Sequence, residues 1–292
     1  MPIKIIPKTF RMAREERQLE EILQRASAAV PGTAVLFPEY AAYTVKGSEK
    51  AYDDLSRVAV SRGVTLITSL NLPGEDLPHA IPKANYNTLF IFSRTGQVYS
   101  PQAKITPQSF ELRHLDKSFP RMDVTPYSRI NKVMLRQNGE AYTAFFCICS
   151  DLYVLPLFDA RDLISDAILC PANFGNGSEW AAAEVIEYAV RSGLFQRGFF
   201  SNNYQAVKEG MIPFTVAVEK TFANETGEMI FDKRSFQEIL KQSSAIYSDD
   251  EYPNFKSVLK ITRNGTFAVP RSRSIESGLE VSLGMYDKVV EL

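Results

Sequence analysis

Residues 141–149 read Ala-Tyr-Thr-Ala-Phe-Phe-Cys-Ile-Cys, and Ser150 and Asp151 follow directly. This run is largely apolar and ends in a thiol, a hydroxyl and a carboxylate. A strand that is apolar throughout is typical of a sheet with both faces covered, by helices or by a second sheet. The run therefore predicts a buried strand of a layered α/β protein, with reactive side chains at its end.

Two other segments share this design. Residues 35–40 read Val-Leu-Phe-Pro-Glu-Tyr, and residues 98–104 read Val-Tyr-Ser-Pro-Gln-Ala-Lys. Enzymes of the α/β class place catalytic groups at strand ends, because the sheet fixes the position and the adjoining loop gives access. The three segments therefore point to Glu39, Lys104 and Cys149 as members of one site.

Helical periodicity and short apolar runs alternate along the rest of the chain. The predicted helices are 12–30, 49–62, 158–164 and 179–195. The predicted strands are 34–37, 64–70, 141–149, 167–170 and 199–202, with a hairpin formed by 88–93 and 97–100. Weaker patterns predict strands at 214–218 and 229–231, a hairpin of 260–263 with 266–269, and a long functional loop at 103–131. Neither a repeat nor a linker interrupts the pattern, so we expect a single domain over residues 1–292.

The composition narrows the class of function. Of 292 residues, 45% are hydrophobic and 11% aromatic, which suffices for a large core. The 33 basic and 34 acidic residues give a net charge of −1, which argues against binding to nucleic acid or to a membrane surface. The chain has three cysteines, no signal-peptide pattern and no stretch of about 20 apolar residues. We therefore expect a reduced, cytoplasmic protein.

The reactive segments resemble the motifs of the nitrilase, or carbon–nitrogen hydrolase, superfamily. The matching residues are Phe37-Pro38-Glu39 for its glutamate, Tyr86-Asn87-Thr88 with Gly96 for the hairpin before its lysine, Lys104 for that lysine, Cys149-Ser150-Asp151 for its cysteine, and Pro171-Ala172-Asn173 and Asn202-Asn203 for two downstream patterns. The resemblance covers roughly residues 30–205, and the chain diverges from the family after about residue 205.

This resemblance implies a four-layer αββα sandwich that often forms homodimers or higher homo-oligomers. It also implies hydrolysis of amides, N-carbamoyl compounds or, less often, nitriles, without a cofactor or a metal. Ser150 stands where the family usually has an aromatic residue, which favours its amidase-type members over true nitrilases. The expected substrate is a small molecule with an amide-type bond.

The chemistry of the side chains agrees with these roles. A neutral thiol is a poor nucleophile, so Cys149 needs a base, and Glu39 can take the proton and return it to the departing amine. Lys104 would supply a fixed positive charge and, together with the backbone N–H of Ser150, would hold the oxyanion of the tetrahedral intermediate. This cycle needs no histidine, and the chain contains only two.

The roles of the other candidate residues have more than one interpretation. The resemblance implies that Glu111 is a fourth member that orients the lysine and the substrate; the alternative is a solvated loop acid. Asn173 and Phe174 belong to an active-site loop that contacts the substrate or the oxyanion, or else to a plain turn. Cys147 is the nucleophile if the strand register differs from the expected one. Asp151 pairs with a positive charge near the site or caps the next segment.

Three functions are therefore compatible with the sequence. The first is an amidase-type carbon–nitrogen hydrolase, favoured by the intact set of glutamate, lysine and cysteine. The second is a nitrilase-like binding or partner module with weak or no activity, which the divergence after about residue 205 leaves open. The third is an acyltransferase that uses the same thioester with an acceptor other than water.

Overall fold

The computed structural model describes residues 3–10, 14–108, 111–112, 124–174, 193–203 and 281–292, five helical residues between 182 and 190, and three short strands at 228–232, 260–261 and 267–268. The helices are Glu15–Ser27 (α1), Val45–Arg62 (α2) and Ala160–Leu163 (α3), with a 3₁₀ helix at Cys149–Leu157. The strands are Ile5–Pro7 (β1), Ala34–Leu36 (β2), Thr65–Asn71 (β3), Asn87–Phe92 (β4), Val98–Ala103 (β5), Arg129–Gln137 (β6), Glu140–Phe146 (β7), Ser165–Ala172 (β8), Phe195–Asn202 (β9), Glu228–Asp232 (β10), Lys260–Ile261 (β11), Phe267–Ala268 (β12) and Ser282–Glu291 (β13).

These strands form two large mixed sheets. The first sheet has the order β1-β2-β3-β4-β5, in which β1, β2 and β3 are parallel and β4 and β5 complete an antiparallel meander. The second sheet has the order β10-β9-β8-β7-β6-β13, with a parallel centre of β7, β8 and β9. Strands β11 and β12 form a separate antiparallel pair, as the hairpin pattern predicts.

The two sheets pack face to face and are covered on the outside by helices. Ile67 and Ile91 of the first sheet share a buried cluster with Ala144 and Leu169 of the second. The outer face of the first sheet packs against α1 and α2. The outer face of the second packs against the helical residues between 182 and 190. This arrangement is a four-layer αββα sandwich, so the predicted fold class is confirmed.

Local chemistry explains the limits of α2. The helix begins at residue 45, four positions before the predicted start, because the Thr44 side chain accepts a hydrogen bond from the Gly47 N–H at 3.0 Å. It ends at Gly63, whose left-handed backbone (φ of 63°) is accessible to glycine at little cost. None of the described helices combines the length and the apolar character needed to cross a membrane.

The described strands also correct the prediction in three places. The predicted strand 141–149 ends at Phe146, because Cys149 adopts a left-handed backbone and opens the 3₁₀ helix. Phe195 begins β9 and is not the end of the preceding helix. Strands β1, β6 and β13 were not predicted, since their short or polar sequences lack an apolar run. The predicted strand 214–218 lies outside the described residues.

Candidate active site

Three predicted residues meet although they come from two different sheets. Glu39 follows β2 and Lys104 follows β5, both in the first sheet, whereas Cys149 follows β7 in the second. All three side chains are buried, with relative exposures of 1% for Glu39 and Lys104 and 4% for Cys149. Face-to-face packing of the sheets therefore assembles the site from strand ends.

Lys104 lies between two carboxylates. Its Nζ donates to Glu39 Oε1 at 2.6 Å and to Glu111 Oε2 at 2.7 Å. The backbone is held as well, since the Lys104 N–H donates to the Asn87 carbonyl and its carbonyl accepts from the Tyr127 N–H. An ammonium group has three N–H donors. Two of them are engaged by these carboxylates, and none of the residues that the structure describes accepts the third.

Glu111 is fully buried, so it is not the solvated loop acid of the alternative interpretation. Its Oε1 accepts the Tyr40 hydroxyl and, at 3.3 Å, the Asn87 amide, while the Gln108 N–H donates to Oε2 at 2.6 Å. The same Asn87 amide donates to Glu39 Oε1 at 2.7 Å. Asn87 therefore links the two carboxylates that flank the lysine.

Glu39 is held in place by its neighbours along the chain. The Thr68 hydroxyl of β3 donates to the Pro38 carbonyl at 2.7 Å, and the Tyr40 N–H donates to Ser69 Oγ at 3.0 Å. Tyr40 has a left-handed backbone with φ of 59°. This turn directs consecutive side chains, Glu39 and Tyr40, toward the same buried lysine and its second carboxylate.

Cys149 occupies a strained backbone position, with φ of 54° in the left-handed region that a side chain disfavours. Its thiol interacts with the Glu39 carboxylate, since each of the two groups shifts the pKa of the other. The backbone of Asn173 is near enough to the sulfur to lower the pKa of Cys149. The thiol thus lies against the side chain that could take its proton.

Burial and charge set the protonation states. Burial raises the pKa of Glu39, Lys104 lowers it and Glu111 raises it, with a net upward shift. Burial and the Glu39 charge likewise raise the pKa of Cys149 well above its ordinary value. Burial alone would lower the pKa of Lys104, but Glu111 and Glu39 raise it well above normal. The resting site therefore contains a neutral thiol and a charged lysine.

The residues predicted to contact the oxyanion or the substrate lie around this thiol. Ser150 is in the first turn of the 3₁₀ helix, where backbone N–H groups lack an acceptor within the helix. The Phe174 ring stacks on Phe200, with 6.4 Å between ring centroids. Asn202 Oδ1 accepts the Phe174 N–H at 2.8 Å. The ring of Phe174 therefore packs in the core, and its N–H is bonded to Asn202. Of the two loop residues, Asn173 is the one whose backbone affects the Cys149 sulfur.

Sequence reasoning missed Asn87 and Tyr40 as members of the site. Both lie inside quoted motifs, Tyr86-Asn87-Thr88 and Phe37-Pro38-Glu39 with Tyr40 next to it. Asn87 is the middle residue of the first motif, and its side chain is fully buried, with an exposure of 0%. The available signals were that Tyr40 directly follows the predicted base, Glu39, and that Asn87 lies in a motif matched to the family.

Cys147 and Cys170 are buried free thiols in the core of the second sheet. Cys147 lies just beyond the end of β7 and shares a buried cluster with Cys149, although the strand does not continue to Cys149 as predicted. Burial raises the pKa of both thiols well above the ordinary value, so both are expected to be neutral. Among the described residues, no group of three His, Cys, Asp or Glu side chains is arranged to hold a metal ion.

Comparison with known proteins gives structural matches only. No family model and no curated protein sequence matches the chain. A CN-hydrolase superfamily protein from Xanthomonas campestris, solved with an arsenic adduct in its active site, is 13% identical, with a TM-score of 0.46 over 68% of this chain and 75% of that chain. A cysteine-to-serine variant of a Nesterenkonia amidase from the nitrilase superfamily is 16% identical, with a TM-score of 0.48 over 69% and 77%. The cysteine-to-alanine variant of the Nesterenkonia amidase in complex with butyramide is 17% identical, with a TM-score of 0.46 over 68% and 75%.

Proposed function

We propose that this chain is an amidase-type member of the nitrilase superfamily that hydrolyses a non-peptide carbon–nitrogen bond through an acyl-thioester on Cys149. The bond is that of an amide or an N-carbamoyl compound, and less readily a nitrile. One observation carries the proposal: a buried ammonium, Lys104, is held between Glu39 and Glu111, and the buried Cys149 thiol is close enough to Glu39 for each group to shift the pKa of the other. An ion pair with a purely structural role would not require a thiol beside one of its carboxylates.

The first half of the cycle forms the thioester. Glu39 takes the proton of Cys149 as the sulfur attacks the carbonyl carbon. The carbonyl oxygen becomes an oxyanion, which the third N–H of Lys104 and the Ser150 N–H stabilise; a well-placed donor of this kind is worth about 3–4 kcal/mol. Glu39 then gives the proton to the nitrogen, the carbon–nitrogen bond breaks, and ammonia or an amine leaves.

The second half restores the thiol. Glu39 takes a proton from a water molecule, whose oxygen attacks the thioester carbon. The carbon–sulfur bond breaks, the proton passes to Cys149, and a carboxylic acid leaves. The raised pKa of Glu39 suits both tasks, because a base whose pKa lies closer to the working pH also returns its proton more readily.

Glu111 acts mainly on Lys104, and its charge also adds to the raised pKa of the Cys149 thiol. Tyr40, Asn87 and Gln108 fix its carboxylate. Its charge is the largest of the contributions that raise the pKa of Lys104, and it keeps the lysine protonated despite complete burial. The lysine therefore provides positive charge for the oxyanion throughout the cycle.

A screen for ammonia release across amides, carbamoyl compounds and nitriles tests this function, with Cys149→Ser as the inactive comparison. Alkylation by iodoacetamide, followed by mass spectrometry, should modify Cys149 faster than Cys147 and Cys170. The proposal fails if Cys149 reacts no faster than the other two thiols, or if the Cys149→Ser variant matches the wild type on every compound. Selective alkylation without ammonia release, but with transfer of an acyl group to added hydroxylamine, would instead identify an acyltransferase.

We also propose a reducing, cytoplasmic setting and a homodimer or higher homo-oligomer. All three cysteines are free thiols, which suits a reducing compartment. Light scattering of the purified protein measures the number of copies, and a monomer at micromolar concentration would contradict the second part.

A further inference from the structure

The segment after Lys104 and the turn that carries Cys149 are joined by a buried carboxylate. Asp151 Oδ1 accepts the Ile105 N–H at 2.9 Å and the Thr106 N–H at 2.8 Å. Its other oxygen, Oδ2, accepts the Ile148 N–H at 3.3 Å. One side chain thus binds the backbone on both sides of the gap between the two sheets.

Two hydroxyl groups extend this link. Thr106 Oγ1 lies 2.9 Å from Asp151 Oδ1 and 2.7 Å from Ser150 Oγ, so its single proton is shared between them. Ser150 Oγ donates to the Thr106 carbonyl at 2.8 Å. Ser150 is the residue after the thiol, and Thr106 is two residues after the lysine. We name this network, made of Ile105, Thr106, Ile148, Ser150 and Asp151, the inter-sheet clamp.

The clamp is shielded from water. Ile105, Ile148 and Asp151 have an exposure of 0%, Thr106 of 1% and Ser150 of 4%. A hydrogen bond to a buried charged group contributes more than an ordinary one, and removing the acceptor leaves its donors unpaired. Burial raises the pKa of Asp151 to about 7, although Lys104 and the donors of Thr106 and Ile105 lower it.

We propose that Asp151 is a positioning residue that holds Lys104 at its working distance from Cys149. The inference rests on the proposed function, since it concerns the geometry of the same reaction. Lys104 and Cys149 belong to different sheets, and a positional error of about 1 Å between reacting groups can cost about 10²-fold in rate. The backbone of residues 105–106 follows Lys104 directly, so its attachment to Asp151 limits such an error.

Two substitutions separate the roles within the clamp. Asp151→Asn keeps one oxygen for the Ile105 and Thr106 N–H groups, but it loses the charge and turns an amide N–H toward the Ile148 N–H. Thr106→Val removes the hydroxyl and leaves the backbone bond to Asp151 intact. Asp166→Asn is the matched control, since Asp166 Oδ2 likewise accepts a threonine N–H and hydroxyl, from Thr143 at 2.7 and 2.9 Å, away from the site.

The experiment measures the second-order rate of Cys149 alkylation by iodoacetamide, with each variant first checked for folding by circular dichroism and a thermal melt. We expect Asp151→Asn to lower this rate by about 10- to 100-fold, Thr106→Val by about threefold or more, and Asp166→Asn to leave it unchanged. The same order is expected for kcat on any amide that the wild type hydrolyses, with KM changed much less.

Each outcome decides a different point. A wild-type rate in folded Asp151→Asn overturns the inference, even if the melting temperature falls, because a purely structural role would change stability alone. If Asp151→Asn does not fold, Thr106→Val decides in its place, and a wild-type rate there overturns the inference. If Cys149 in the wild type reacts no faster than Cys147 and Cys170, the proposed function itself fails, whatever Asp151 does.

Discussion

At the scale of single residues, the main feature is the burial of three ionisable side chains in contact. Moving an ion out of water costs several kcal/mol, and an opposite charge offsets this cost only when geometry and hydrogen bonds are good. Lys104 meets both conditions, with two carboxylates at 2.6 and 2.7 Å that are themselves bonded to Asn87, Tyr40 and Gln108. The stability of this group therefore depends on every member being present.

Replacement of the lysine tests that dependence. We expect Lys104→Met to lower the free energy of unfolding by about 3–5 kcal/mol, because Glu39 and Glu111 would keep their burial and lose their cation. Urea unfolding at pH 7 measures the change. Lys50→Met is the control, since Lys50 forms an exposed pair with Asp54 that should contribute less than about 1 kcal/mol. Equal losses in the two variants would contradict the prediction.

We expect the ionisation of Glu39 to produce the acid limb of the pH profile of activity. As the base, Glu39 must be ionised, so kcat/KM should fall as the pH drops through its pKa. Burial, opposed by Lys104 and aided by Glu111, raises this pKa above the ordinary 4.5, and the acid limb of the profile should therefore lie above pH 4.5.

Glu39→Gln should remove this limb and lower kcat/KM by about 10²- to 10⁴-fold, the usual contribution of a general base. A pH profile of ammonia release measures both effects. Glu21→Gln, which weakens a half-buried ion pair with Arg25 on α1, should keep the limb and the rate. An acid limb at or below pH 4.5 in the wild type would exclude the raised pKa.

At the scale of elements, helix α2 is tied to α1 through its first turn. The Glu15 carboxylate of α1 accepts hydrogen bonds from the Tyr43 N–H at 2.7 Å and the Thr44 N–H at 2.8 Å. It also accepts one from the Thr44 hydroxyl at 2.6 Å. A carboxylate at a helix N-terminus is favourable, since unpaired N–H groups and the helix dipole point toward it. Gly47 leaves room for it, because a Cβ there would lie 2.1 Å from the Glu15 carboxyl carbon.

A double-mutant cycle tests this contact. Gly47→Ala should destabilise the wild type by displacing Glu15, although alanine is the better helix former by about 1 kcal/mol. In a Glu15→Ala background the same substitution should be neutral or stabilising, by up to about 1 kcal/mol. Thermal or urea unfolding of the four proteins gives the coupling energy. A coupling near zero would show that the helix shifts to avoid the contact.

At the scale of the whole molecule, the edges of the two sheets are joined by Asp76. This residue lies in the loop between β3 and β4. It accepts the Ser100 N–H of β5 at 2.8 Å, the Tyr286 hydroxyl of β13, and the Lys288 ammonium of β13 at 3.0 Å. Strand β5 is an edge of the first sheet and β13 an edge of the second. The last strand of the chain is thereby attached to the first half of the protein.

We expect Asp76→Asn to lower the free energy of unfolding at pH 7 by about 1–3 kcal/mol, through loss of charged hydrogen bonds. Burial alone raises the pKa of Asp76, but the bonds from Ser100, Tyr286 and Lys288 lower it below 3.8. A carboxyl of this kind stabilises the fold above pH 3.8, and the contribution disappears as the pH falls through the lowered pKa.

The difference between wild type and Asp76→Asn should therefore narrow as the pH falls below 3.8. Urea unfolding at pH 7 and pH 3 measures it. Asp287→Asn, an exposed position on the same strand, should leave stability within about 0.5 kcal/mol of the wild type at both values. A constant difference for Asp76→Asn across this range would mean that its charge is not what stabilises the contact.

Local patterns were enough to predict a layered α/β protein and the central residues of the candidate site, and the family resemblance added the four-layer αββα sandwich. The apolar runs that became β2, β3, β7, β8 and β9 and the periodic segments that became α1 and α2 depend on residues within one element. Glu39, Lys104 and Cys149 were found because each lies at the end of a predicted strand or within four residues of it, and Glu111 because of a family resemblance. The sequence alone determines these features, because an apolar run, a helical period and the residue that ends a strand can each be read within one segment of the chain.

Other features were decided only by the tertiary structure. Strands β1, β6 and β13 are stabilised by pairing with distant segments, for example Ser282 with Arg129, and not by an apolar run of their own. Lys104 meets Glu39 across 65 positions of sequence, and Asp151 meets Thr106 across 45. The physical reason is that such contacts depend on how two sheets pack, a sum of many weak interactions that no local segment contains. The sequence by itself therefore determined which side chains end the strands, and the packing of the sheets decided that a thiol, two carboxylates and an ammonium meet.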